Sequence, residues 1–344
     1  PSGFSHKSLL CSIMKSIKRL IGMLAGLISC VCFVFSAASC GKSNDTITIG
    51  VLQVATHTAL DNARDGFVET LEKWAKDNDK KIEFDLQNAN GDQNNEKTLA
   101  NSLVSKKCDL LLGIATSSAR ALSSATTKIP TLFTAVTDPE VGHISGENVT
   151  GTSDMAPIAQ QIDLIKEIVL GCKKIGFVYC SGEENSQKQI AIAKEQCDKI
   201  GFAYEAFTVT ATSDINDVVS KINPDEIDAV YIPTDNLLAA NMRLACNILT
   251  PKGIPVIAGE DGMCEDDEAL VTLGIDYKKL GEQTAEIAIR ILSGEKPSDI
   301  KFQYYNRDAT FAINETNAAN LLEKNSALKI TAEDIANLKA KFAK

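Results

Sequence analysis

Histidine is nearly missing from this chain: three in 344 residues, with His6 near the start and only His57 and His143 in the body. Neither body histidine stands in a metal-ligand spacing such as HExxH, and there is no GxSxG nucleophile elbow. No catalytic residue, cofactor or metal is therefore expected. Cysteine pairs at zinc spacing are also lacking, because Cys108, Cys172, Cys180, Cys197, Cys246 and Cys264 form no CxxC motif. Their places at strand edges and on apolar helix faces suit thiols packed as small hydrophobes, with disulfide pairing open in an oxidising compartment. Asp85–Glu96 is rich in Asp, Asn and Gln, yet Ala89 and Asn90 stand where an EF-hand needs a ligand and a glycine. Base is short relative to acid, 35 Lys and Arg against 45 Asp and Glu, so there is no basic face for nucleic acid. Apolar runs of membrane-spanning length are absent after residue 40.

The first 40 residues differ from the rest. Lys15, Lys18 and Arg19 precede a nearly uninterrupted apolar stretch from Leu20 to Phe35, and Ser36-Ala37-Ala38-Ser39 supplies the small residues a signal peptidase needs. Residues 1–40 read as a leader, with Met14 as the natural start. Cys40 at its end resembles the acylated cysteine of a lipoprotein, with Ala37 where Leu or Val is usual. Ordinary cleavage and an uncleaved anchor are the alternatives. The expectation is export to the cell envelope and membrane anchoring by lipid at Cys40, in the periplasm or on the outer face of the cytoplasmic membrane. All 45 acids lie beyond this leader and four of the bases within it, so the body is more acidic than the whole chain's −10.

From Thr46 onward, short β-branched runs alternate with stretches of helical periodicity. Ile47–Val54, Ile82–Leu86, Leu110–Ile114 and Thr131–Ala135 read as strands, with helices over Leu60–Ala75, Asn94–Ser105 and Ser117–Thr127. A second series follows Asp154. Its strands are Lys174–Tyr179, Tyr204–Val209, Ala229–Ile232 and Val256–Ala258, and its helices include Ser186–Ile200 and Leu237–Leu249. Such alternation predicts an α/β fold of two Rossmann-like lobes, each a parallel sheet covered by helices and joined by a multi-strand hinge. The first lobe is assigned 46–152 plus about 273–296, the second about 153–272 plus 297–344.

Open α/β sheets bind ligands at the carboxyl ends of their strands. The residues there are Gln53 and His57, then Thr116, Ser117 and Ser118, then Thr137 and Asp138 in the first lobe. The second lobe presents Glu184, Asn185 and Ser186, then Thr234 and Asp235, and finally Asp276. Hydroxyls and helix N-termini on one side and acids on the other suit a zwitterion, although Ser117, Asp235 and Asp276 could equally be helix caps. The acidic run Glu260–Glu268 reads as a solvated loop. Tyr179, Tyr231 and Tyr277 lie near strand ends as candidate stacking walls, whereas Trp74 falls on a core-facing helix position.

Eight stretches carry a family resemblance: Gly50-Val51-Leu52-Gln53, HTALDNARDG from His57, QNANGDQN from Gln87, LGIATS from Leu112, FTAVTDP from Phe133, NVTGTSDM from Asn148, YIPTDN from Tyr231 and LGIDY from Leu273. In this order, over most of residues 46–300, they resemble the substrate-binding lipoproteins of ABC importers, of type I periplasmic fold. The group most similar is the one that binds tryptophan or other aromatic amino acids. The resemblance implies a monomeric receptor that delivers a free amino acid to a permease and ATPase. It also implies that Ser117 and Thr137 hold the ligand carboxylate, that Asp235 holds its ammonium, and that Glu184-Asn185-Ser186 is a further contact. A sensory lipoprotein, or a receptor for a nucleoside or sugar, is the alternative.

Overall fold

The computed structural model describes residues 46–265 and 268–342; the leader, Met14 and Cys40 lie outside them. The chain runs β1 (Ile47–Gln53), α1 (Thr58–Asp77), β2 (Ile82–Asn88), α2 (Gln93–Ser105), β3 (Leu110–Ile114), α3 (Thr116–Ala125), β4 (Thr131–Val136) and β5 (Val149–Ser153). It then passes through α4 (Ile158–Ile168), β6 (Lys174–Cys180), α5 (Glu184–Ile200), β7 (Ala203–Val209), α6 (Ile215–Ser220) and β8 (Ala229–Ile232). The rest is α7 (Asn236–Ala239), α8 (Met242–Leu249), β9 (Val256–Ala258), β10 (Val271–Gly274), α9 (Tyr277–Leu292), β11 (Gln303–Tyr304), β12 (Thr310–Ile313), α10 (Glu315–Leu322) and α11 (Ala332–Phe342). No helix among the described residues is long and apolar enough to cross a membrane.

Two six-stranded sheets result, in the orders β11-β5-β4-β3-β1-β2 and β12-β10-β9-β8-β6-β7. Every pairing is parallel except β10 with β12. The inner strands are buried along their whole length, β3 and β4 in one sheet and β8 in the other. That explains their uninterrupted apolar sequences, since helices cover both faces. This is the two-lobed type I periplasmic binding fold.

Differences from the sequence reading are local. The helix expected over Leu237–Leu249 is broken at Ala240-Asn241 into α7 and α8. Strand β5, VTGTS, lies between β4 and β11 and has no apolar run to announce it. Residues 303–304 pair with β5 in the first sheet rather than joining the second lobe, so the last crossing lies at 305–309 and not near 297. The chain thus passes between the sheets at 154–157, at 275–276 and at 305–309. Gln161 braces this region from below: its amide donates to the carbonyls of Gly259 at 3.0 Å and Leu273 at 2.8 Å, and its Oε1 accepts from Tyr231 at 2.7 Å.

Candidate functional site

The strand ends of the two sheets meet across a cleft, where two neighbouring cavities share Asn185 and Asn236. The smaller, about 10 Å³, is walled by His57, Thr137, Asp154, Thr234, Asp235, Glu260 and Tyr277 among others. The larger, about 410 Å³, is bounded by Val54, Ser117, Arg120, Glu184 and Leu237 among others.

The small pocket is acidic. Tyr277 donates its hydroxyl to Asp154 Oδ2 at 2.8 Å, while Asp154 Oδ1 is buried without a partner. Glu260, only 2% exposed, likewise has its buried Oε1 unpartnered, 3.5 Å from His57 Nδ1. No lysine or arginine is among the described residues that wall this pocket. Burial pushes the Asp154 carboxyl above its usual range. Burial, with repulsion from Asp261 and Asp154, pushes Glu260 well up. Burial also drives His57 down to about 4, so its imidazole is neutral and accepts no share of the acids' charge. A buried carboxylate with a free oxygen is costly unless a donor or cation meets it. The arrangement therefore suits an ammonium group.

Asp235 stands on the same wall but is already occupied. Its Oδ1 caps α7 through Leu238 N at 2.9 Å, and its Oδ2 accepts from Cys180 N at 2.6 Å and Ser186 Oγ at 2.8 Å. Burial, with repulsion from Glu183, raises it to about 7. The capping alternative holds here, and Ser186 serves that cap. Thr137 does face the pocket. Its Oγ1 accepts from Gln189 at 3.1 Å, which leaves its proton for Asp154 or a ligand. Thr234 accepts from the same Gln189 amide.

Other expected contacts fall elsewhere. Ser117 and Ser118 both turn their hydroxyls to Glu96 Oε1, at 2.7 and 2.8 Å, so neither points at the small pocket. Thr116 is buried at the start of α3. Gln53 holds the first loop through Ala55 O and Asp61 Oδ1. Asp138 caps its own turn and pairs with Lys188 at 3.3 Å. Asp276 caps α9 and pairs with Lys279. Glu184 receives Arg120 Nη1 at 2.7 Å across the cleft, and His57 Nε2 lies 3.3 Å from Asn236 Oδ1. Of the three tyrosines, only Tyr277 reaches the pocket; Tyr231 is wholly buried against Phe177, and Tyr179 packs on the same core. Glu260, expected in a solvated loop, is instead the most deeply buried of the described acids in its run. The signal that could have found it is the one that singled out Asp235, an acid shortly after an apolar strand; Asp154 follows β5, which carries no such run.

The family described as ABC transporter substrate binding protein matches residues 48–333. A tyrosine-binding protein of Clostridioides difficile (strain R20291) is 36% identical over 299 residues, 85% of this chain and 84% of that protein. The ABC domain from Streptococcus pneumonia in complex with L-Trp is 32% identical, with a TM-score of 0.76 over 85% of this chain and 98% of that one. A ligand-free, open substrate-binding protein with adhesive properties from Clostridium difficile is 38% identical, with a TM-score of 0.62 over 80% and 94%. The superposition is thus better on the tryptophan complex than on the open form despite lower identity.

Proposed function

The chain belongs to the ABC transporter substrate-binding protein family, receptors rather than enzymes, and on that footing we propose that it is the extracytoplasmic receptor of an importer for a free aromatic amino acid. The observation that carries this reading is the small pocket, in which Asp154 and Glu260 keep buried oxygens unpartnered and no lysine or arginine among the described residues lines the wall. An α-ammonium supplies the missing charge and hydrogen bonds. Thr137, with its proton to give, meets the carboxylate. The relatives that bind tyrosine and tryptophan support an aromatic side chain. Lipid at Cys40 would hold the receptor to the membrane beside its permease and ATPase.

At about 10 Å³ the pocket has room for roughly one water, so an amino acid enters only when the lobes separate. Contacts from both lobes then form on closure, and the closed state gains by that difference in affinity. A thermal-shift screen of the purified protein against the twenty amino acids, nucleosides and sugars tests the reading. A ligand at a hundredfold excess over Kd stabilises by about 2.7 kcal/mol. Shifts confined to tyrosine, tryptophan or phenylalanine are expected; shifts with sugars or nucleosides alone would sink the proposal.

A further inference from the structure

The larger chamber adjoins the ammonium pocket through Asn185 and Asn236, and its walls are of two kinds. Val54 and Ala55 from the first lobe and Leu237 and Ala240 from the second offer apolar surfaces. Glu96, on α2, is 3% exposed and borders the chamber. Ser117 and Ser118 both donate to its Oε1, and Oε2 has no partner among the described residues. Arg120 hydrogen-bonds Glu184, and its charge also acts on Glu96 without a hydrogen bond to it. A free carboxylate oxygen on a buried side chain beside a cavity is an acceptor that rewards a donor and penalises an apolar atom.

Resting on the amino-acid reading above, we infer that this chamber takes the ligand's side chain and that Glu96 is its specificity residue, selecting an aromatic side chain that ends in a hydrogen-bond donor. A tyrosine phenol fits that description. The ring lies between the apolar surfaces of the two lobes, and its hydroxyl donates to Glu96 Oε2. Phenylalanine fills the same space but leaves Oε2 desolvated without a donor.

Calorimetric titration of the wild-type protein with tyrosine, phenylalanine and O-methyltyrosine tests this without any variant. Tyrosine should bind roughly 10- to 100-fold tighter than the other two, the effect of one hydrogen bond to a charged acceptor. In Glu96→Gln the serines keep the amide oxygen and the NH₂ turns to the chamber, so the preference should shrink to within about threefold. A melting curve reports whether that variant still packs α2 on α3. Equal affinity for tyrosine and phenylalanine in the wild type overturns the inference, as does a preference retained by the folded variant. Loss of all three ligands together in the wild type overturns the amino-acid reading itself and this inference with it.

Discussion

Asp154 and Glu260 each present one buried oxygen without a hydrogen-bond partner among the described residues, and at the scale of single residues this is a conflict between stability and binding. Each carboxyl costs the ligand-free fold desolvation, and each is what an ammonium would pair with. Asp154→Asn and Glu260→Gln should therefore weaken amino-acid binding at least tenfold, which is about 1.4 kcal/mol, while raising the melting temperature of the ligand-free protein. Weakened binding with a lowered melting temperature would mean that these acids hold the structure instead. Asp235 should behave the other way. Asp235→Ala removes a helix cap, typically about 1 kcal/mol, and strands Cys180 N and Ser186. An acid after a strand was legible in the sequence; which of its oxygens is free was not, because that depends on neighbours 55 residues away in the chain, as in Cys180 N to Asp235.

Elements were largely legible, since an uninterrupted apolar run or a 3.6-residue period is a property of the local sequence. The weak spots were β5 and the edge strands β11 and β12, short strands whose existence depends on the neighbours they pair with. Helix contact is also a tertiary matter. α1 and α9 approach so closely that a Cβ on Gly66 would lie 2.1 Å from Lys278 O, and one on Gly281 2.0 Å from Ala63 O. Both obstacles are backbone atoms and cannot swing aside. Gly281→Ala should force the helices apart and lower stability by about 1–3 kcal/mol, read from denaturant midpoints. An unchanged midpoint would show that the pair relaxes at no cost.

At the scale of the whole molecule, the fold buries acids in the cleft between its lobes. Asp235 rises to about 7 and Asp261 to about 6, both chiefly by burial, and Asp154 and Glu260 are raised as well. A carboxyl raised in the fold contributes stability that is full below its unfolded value of 3.8 and is lost as pH climbs through the folded value. His57, depressed to about 4, has the opposite sign: its contribution is full above 6.5 and lost as pH falls toward 4. Four acids outweigh one imidazole. The melting temperature of the ligand-free protein should fall between about pH 5 and about pH 7.5, while the shift produced by an amino acid grows, because its ammonium needs ionised partners. A ligand shift that shrinks over the same range would count against the ammonium pairing. Arg120–Glu184 and Lys188–Asp138 span the lobes as well, but they are partly exposed pairs of the kind that adds little.

The sequence by itself determined the lobes, their parallel sheets and the ends of the strands where a ligand belongs, because buried strands and amphipathic helices are written in local periodicity. It also carried the family, in stretches ordered along the chain. Only the tertiary structure decided which strand-end groups are free. Ser117 and Ser118 are spent on Glu96, and Asp235 on a cap, whereas Asp154 and Glu260 each keep one oxygen without a partner among the described residues. Hydrogen bonds in a buried cleft are shared out among residues far apart in the chain, and the same residue type at the same kind of position becomes a cap or a ligand contact according to which partner reaches it first.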